Sequence, residues 1–339
     1  MLEAFQSPED IYNAELIELM KIPVLNKKDI SNILDSNVRK RIFEKYDEYE
    51  FRGIKMVFPF EKEYPKRLLE LYDKPFVLYY KGSLPADDIP AVAVIGSRKC
   101  SAYGRCVARE LGRVLSIGGV NVISGLALGI DKEAHMGTLM AGGRTYGILA
   151  GSVDKCYPAG NFNTYMDIQQ NGGVISEFPL GTPTVPGLFP LRNRIVSGLS
   201  DSVIVVEAGY GSGTFITVSH ALNQNRQVYA VPGRIGDETS VGCNRLIAEG
   251  AAIITSYDTI LEDMGINIHY EEKCEKSNLG LASEEKMLYS LLLNFVPKSL
   301  DTLITESYKS VSEVLTGLLG LELKGYIKEI SKNFYVRIR

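Results

Sequence analysis

Seven short runs of small and β-branched apolar residues recur between positions 91 and 256: AVAVIGS (91–97), VNVISG (120–125), TYGILAG (145–151), GGVISE (172–177), SVIVVEA (202–208), QVYAVPG (227–233) and AAIITS (251–256). Each is nearly continuous rather than alternating, the pattern of a strand buried on both faces. Helix-length segments separate them, for example residues 104–117 and 214–225. Repetition of strand and helix demands helices on both sides of the strands. The predicted fold class is therefore α/β, a doubly wound, extended Rossmann-like and mostly parallel sheet. Such a sheet places ligand chemistry outside the carboxyl ends of its strands, where nearly every glycine-rich segment of this chain falls.

Glycine also marks the domain limits, since residues 91–250 hold 25 of the 32 glycines. Residues 1–50 read as a small helical N-terminal module, from the spacing of Ile11, Leu16 and Leu19 and then Ile30, Ile33 and Leu34. Residues 51–90 form a connector with Pro59, Pro65 and Pro75 that ends in a lead-in strand, FVLYYKG. The Rossmann-like domain is expected over 91–265 and a polar linker over 266–280. Residues 281–339 show three short helices and then a strand pair turning at Lys332 and Asn333, the order of a winged-helix domain.

Several function classes are excluded at this level. No apolar run reaches the roughly 18 residues of a membrane helix, and the first residues lack the layout of a secretory leader. Five cysteines without a C-x-x-C pattern and three scattered histidines make neither a disulfide framework nor a metal site. A cytoplasmic protein with reduced thiols, no metal and no cofactor is expected. Net charge is −4, yet residues 91–200 carry ten basic and six acidic side chains. A positive middle in an acidic chain suits an anionic ligand bound there, although solvated helix faces would give the same imbalance.

Three segments could meet an anion. The first strand ends in Gly96-Ser97-Arg98, and Lys99 to Gly104 lead into a helix whose first N–H groups are free. Pro190-Leu191-Arg192-Asn193-Arg194 opens a helix after a prolyl loop; its arginines suit phosphate, or pair with acids such as Glu177 or Glu207. Glu207 to Thr214 places Ser212-Gly213-Thr214 before another helix, an anion nest without the lysine of a Walker loop. Asp131 and Asn161 are expected to cap helices, and His135 to be a packed helical histidine. No convincing nucleophile–base set is present, which favours binding over turnover.

Taken in order, Gly96-Ser97-Arg98 with Ser101 and Tyr103-Gly104, SGLALGID with Ala134 and His135, Asp154 with Tyr157, Pro158 and Asn161, FPLRNRIVSGLSDSVIVVEA, the SGT triplet and VYAVPG resemble the DNA-processing protein A (DprA/Smf) family over about residues 60–260. The resemblance implies a non-enzymatic, cytoplasmic recombination mediator of natural transformation. Such a protein binds and protects incoming single-stranded DNA, helps to load the RecA recombinase, and forms a homodimer through the sheet domain. It implies Arg98 as the principal DNA contact, Gly96 and Ser97 approaching phosphate with their backbones, the pair Arg192 and Arg194 with Asn193 between them, and Glu207, Ser212, Gly213 and Thr214 bordering the same pocket. Ser101 and Asn161 complete the expected DNA-binding set. The loop before Asn161 supplies no cation, which leaves Lys155 as the nearest, and His220 is an unusual polar insertion in its helix.

Two other classes compete. Nucleoside 5'-monophosphate phosphoribohydrolases share the sheet and a G-x-G-T-x-x-E loop, but Thr217 stands where they place a catalytic glutamate. A double-strand-reading transcription factor would rest on the winged helix alone. Its recognition segment, 310–323, has Glu313 and Glu322 and neither Lys nor Arg, so it is poorly suited to phosphates.

Overall fold

Alternate residues of the first parallel strand enter opposite cores: Ala91, Ala93 and Ile95 pack in one, Val92 and Val94 in the other. That is the structural meaning of an unbroken AVAVI run. The computed structural model describes residues 4–5, 7–266, 281–292 and 297–337. The expected linker lies outside the described residues apart from Ile266.

In chain order the strands of the main sheet are β1 Lys55–Val57, β2 Leu78–Gly82, β3 Ala91–Ile95, β4 Asn121–Ser124, β5 Thr145–Ile148, β6 Gly172–Ser176, β7 Ser202–Val205, β8 Gln227–Ala230 and β9 Ala252–Ile253. They lie in the order β1-β2-β6-β5-β4-β3-β7-β8-β9. From β6 to β9 every neighbouring pair is parallel. β2 and β1 extend the β6 edge in antiparallel fashion. The chain thus winds outward from β3 to β6 and then restarts at β7 on the other side of β3. The reversal between β3 and β7 is the switch point at which doubly wound sheets bind ligands.

Helices cover both faces. On one, Val107, Leu111, Val114 and Leu115 of helix Ala102–Ile117 and Ile130 of helix Ile130–Met140 pack on Val92, Val94 and Val122. On the other, Ile195 and Val196 of helix Leu188–Gly198 and Val218 and Ala221 of helix Thr214–Asn223 pack on Ala93, Ile95 and Val203. The stretch before β3 is bound into this architecture. Arg67 grips both carboxylate oxygens of Asp201 at 2.8 and 2.9 Å, and the same Asp201 accepts the Ala91 N–H at 2.8 Å.

Helices Pro8–Asn13, Leu16–Leu19, Lys27–Leu34 and Ser36–Phe51 make up the N-terminal module, with Ala14, Leu19 and Ile30 as its small core. The tail contains helices Ser283–Leu291, Leu300–Ser307 and Val311–Leu323 and the strands β10 Lys298–Ser299, β11 Ile327–Ser331 and β12 Phe334–Arg337. β12 lies between β10 and β11, and Asn333 takes a left-handed φ of +62° in the turn of the wing. Among the described residues no helix is long and apolar enough to cross a membrane, and no group of three or more His, Cys, Asp or Glu side chains could hold a metal ion.

Candidate nucleic-acid interface

A cleft of about 570 Å³ opens at the switch point. Its walls are the loops that follow β3 and β7, the start of helix Leu188–Gly198, and Gly125 after β4. Of the residues singled out from the sequence, Gly96, Ser97, Arg98, Arg192, Asn193, Ser212, Gly213 and Thr214 line it. Lys155 lines a small adjoining recess with Tyr157 and Phe189.

Gly96 is required where β3 ends. A side chain there would come within 2.7 Å of Ile130 Cγ1 and 2.9 Å of the Glu207 carbonyl oxygen. The chain therefore turns closely over the sheet edge and delivers Arg98 to the surface, where its guanidinium lies 4.6 Å from the centre of the Phe189 ring. Among the described residues that guanidinium makes no hydrogen bond or ion pair, so its donors face the cleft unspent. Across it, Ser212 Oγ donates to Thr214 Oγ1 at 2.9 Å and accepts the Thr214 N–H, closing a tight turn after the left-handed Gly211.

Arg192 behaves differently. It is buried, and its Nη1 donates to the Gly125 carbonyl at 2.7 Å and to the Ile148 carbonyl, tying the ends of β4 and β5 together. Burial lowers its pKa to about 10 despite the nearby Asp131 carboxylate, with Arg98 adding to the depression. Its guanidinium lies 5.8 Å from the centre of the Phe189 ring, so two arginines lie against one aromatic ring. Arg194 points away from the cleft. It pairs with Glu177 and, at 3.3 Å, with Asp73, taking the structural alternative that its neighbourhood of acids suggested.

Glu207, Ser101 and Asn161 lie outside the cleft lining. Glu207 is buried; its Oε2 accepts the Ser101 N–H at 2.8 Å and its Oε1 accepts the Ser101 hydroxyl at 2.5 Å. Ser101 Oγ in turn caps the Gly104 N–H at 3.0 Å. A side chain at Gly104 would overlap the Glu207 carboxylate, so that acid sits directly against the first turn of helix Ala102–Ile117. The helix start where a dinucleotide fold holds pyrophosphate is filled by the protein's own anion, which disfavours the nucleotide-hydrolase alternative.

Two expected helix caps are corrected by the structure. Asn161 precedes helix Phe162–Gln170 but makes no side-chain cap; its Nδ2 donates to the Leu126 and Ala127 carbonyls at 2.8 and 3.0 Å. Asp131 lies inside its helix, and its Oδ2 accepts the N–H groups of Gly125 and Ala127 at 3.1 and 3.3 Å. Both side chains hold the loop after β4, whose backbone groups have no ladder partner and must be met by side chains. Desolvation raises the pKa of Asp131, against the lowering influence of Arg192 and those two N–H groups. His135 is fully buried as expected, with Nδ1 2.6 Å from Thr145 Oγ1.

The residue that sequence reasoning missed is Phe189. Its signal was an aromatic side chain immediately before Pro190 and the two arginines, at the opening of the helix that follows the prolyl loop. Tyr157, quoted in a motif but not assigned to the site, also lines the cleft, its ring centre 6.0 Å from that of Phe189.

Comparison with known proteins gives a consistent picture. The family model described as DNA recombination-mediator protein A matches residues 55–265, and that of the DprA winged helix domain matches residues 275–331. Protein Smf of Escherichia coli K12 is 36% identical over 282 residues, which span 81% of this chain and 75% of that protein. DNA processing protein DprA of Streptococcus pneumoniae R6 is 42% identical over 203 residues, 59% of this chain and 71% of that protein. The X-ray structure of DNA processing protein A from S. pneumoniae aligns with a TM-score of 0.60 at 36% identity, covering 72% of this chain and 88% of that one. A structure of the Helicobacter pylori protein, whose subject is a unique single-stranded DNA binding mode, aligns with a TM-score of 0.57 at 29% identity over 62% of this chain and 95% of that one. One family thus accounts for the sheet domain, from β1 to the end of the described sheet region, and for the tail: the chain belongs to the DNA recombination-mediator protein A family, whose named members include DprA and Smf.

Proposed function

We propose that this protein binds single-stranded DNA in the switch-point cleft, and that it protects incoming strands during natural transformation and helps to load the RecA recombinase on them. The observation that carries the reading is the pairing of an unspent, exposed arginine with an aromatic face, Arg98 over Phe189. A guanidinium backed by an aromatic ring meets phosphate with a planar fork and offers its own flat face to an unpaired base; a duplex keeps its bases stacked inside and cannot use the second contact. The Helicobacter pylori relative's single-stranded DNA binding supports the same reading. Within it, Gly96, Ser97 and Arg98 on one wall and Asn193, Ser212, Gly213 and Thr214 on the other meet the strand. Lys155 extends the positive surface, while Arg192, Arg194, Ser101, Asn161 and Glu207 hold the walls in place.

Binding rather than turnover is also the reading of the cleft chemistry. Among the described lining residues the carboxylate is that of Asp131, and it is committed to two backbone N–H groups. The working form in this proposal is a cytoplasmic homodimer built on the sheet domain, which sedimentation of the full chain at micromolar concentration would detect.

Filter-binding titrations with single- and double-stranded DNA at two salt concentrations test the function. Tighter binding of the single strand, weakening as salt rises, is expected. Equal affinity for both forms, or release of free base from nucleoside monophosphates, would overturn the reading.

A further inference from the structure

Among the described residues the Arg98 guanidinium has no polar partner, yet a phosphate contact needs its backbone held in one place. The 97–101 loop is held at both ends by one residue just past the neighbouring strand β7. At the near end the Ser97 N–H donates to the Glu207 main-chain carbonyl at 2.8 Å, continuing the ladder in which the Val206 N–H donates to the Ile95 carbonyl at 3.0 Å. At the far end the Glu207 carboxylate takes both the N–H and the hydroxyl of Ser101. The carboxylate is itself steadied by the Thr239 hydroxyl at 3.3 Å, while the Thr239 carbonyl accepts the Ala208 N–H at 2.9 Å. Gly104 leaves the room that this buried side chain needs.

We propose that Glu207 is the positioning residue for Arg98: it clips the two ends of the 97–101 loop and thereby sets where the guanidinium meets DNA. Glu207 touches no ligand in this arrangement and acts entirely through the loop. The Ser97 end is a main-chain bond that any residue at 207 would keep, so what the Glu207 side chain adds is the hold on Ser101 that closes the loop. The inference rests on the reading of the cleft as a single-stranded DNA site with Arg98 as a contact.

The test is a double-mutant cycle on the full chain, read by fluorescence anisotropy with a labelled oligo-dT strand. Glu207→Ala is expected to weaken binding by about fivefold in the native background and to have little further effect when Arg98→Ala is already present, the non-additivity of residues that act as a unit. The salt dependence should become shallower in Glu207→Ala, as it does when a phosphate contact is lost. Glu207→Gln, whose amide oxygen still accepts the Ser101 N–H, should restore affinity to within about twofold. If Glu207→Ala does not fold, Glu207→Asp, which draws the carboxylate back from Ser101, takes its place with the same expected loss. Unchanged affinity in the folded variant, or an equal loss with and without Arg98, would overturn the proposal. If native protein binds no single strand, or Arg98→Ala binds as native does, the failure belongs instead to the reading of the cleft.

Discussion

The guanidinium carbon of the exposed Arg98 stands 4.6 Å over the centre of the Phe189 ring. Arg98→Ala is expected to weaken single-stranded DNA binding by roughly 1–3 kcal/mol, the scale of a charge-assisted contact. The slope of log affinity against log salt should fall by about 0.7, one phosphate contact on a single strand. An exposed arginine without an ion pair adds little to folding, so the melting temperature should stay within about a degree. A lowered melting temperature with unchanged slope would mean that Arg98 is structural.

Arg192 gives the opposite forecast from the same cleft. It is buried, and it holds the carbonyls of Gly125 and Ile148. Arg192→Met leaves those carbonyls and the buried Asp131 without their donor or counter-charge, at an expected cost of about 3 kcal/mol. Urea unfolding of this variant should show a clearly lower midpoint. A midpoint equal to that of the native chain would show that the guanidinium is not holding the strand ends.

His135 makes stability depend on pH. Burial, aided by the positive charge of Arg192, lowers its pKa from the ordinary 6.5 to about 3. The unfolded chain therefore binds a proton below pH 6.5 that the folded chain refuses until about pH 3. Stability from this group is complete above pH 6.5 and is lost as the pH falls, by about 2 kcal/mol between pH 7 and pH 5. His135→Gln removes the titration, so its unfolding free energy should fall less than that of the native protein over the same interval. Parallel pH profiles would exclude His135 as the cause.

The tail is expected to contribute little to strand binding. Helix Val311–Leu323 exposes Val311, Leu315, Leu319 and Leu323 at every fourth position and contains no basic residue. The lysines at its ends are paired, Lys309 with Glu313 at 3.4 Å and Lys324 with Glu285 at 2.7 Å. Deleting residues 281–339 should leave single-strand affinity and its salt slope within about twofold, because few phosphates are neutralised there. Loss of binding by a truncated but folded protein would make the wing the DNA module.

The parallel strands were legible because Val, Ile and Ala runs have one stable use, burial on both faces of a sheet. β1 was not, since a three-residue KMV segment carries no period and its pairing with β2 is set by tertiary contacts. The positions of Gly96, Arg98 and Ser212 followed from topology, as glycine and arginine at strand ends of a doubly wound sheet have few other roles. What could not be read was the division of labour between Arg98, Arg192 and Arg194. Exposure and partners decide it, and those depend on Gly125, Ile148, Glu177 and Asp73, brought in from four other segments. Asn161 and Asp131 looked like caps for the same reason: a side-chain amide or carboxylate serves a helix end and an irregular loop equally well, and only the fold decides which is nearer.

The clip between Ser101 and Glu207 spans 106 residues of chain. At the roughly 5–20 residues per second of synthesis, the arginine loop leaves the ribosome about 5–20 seconds before the residue that fastens it. The Phe189 side of the cleft is synthesised within that interval, and the wall from Ser212 to Thr214 follows Glu207 directly. The loop that carries Arg98 is thus fastened at Ser101 only after the chain has passed the seventh strand, so a chain that stops before Glu207 leaves that end of the loop open.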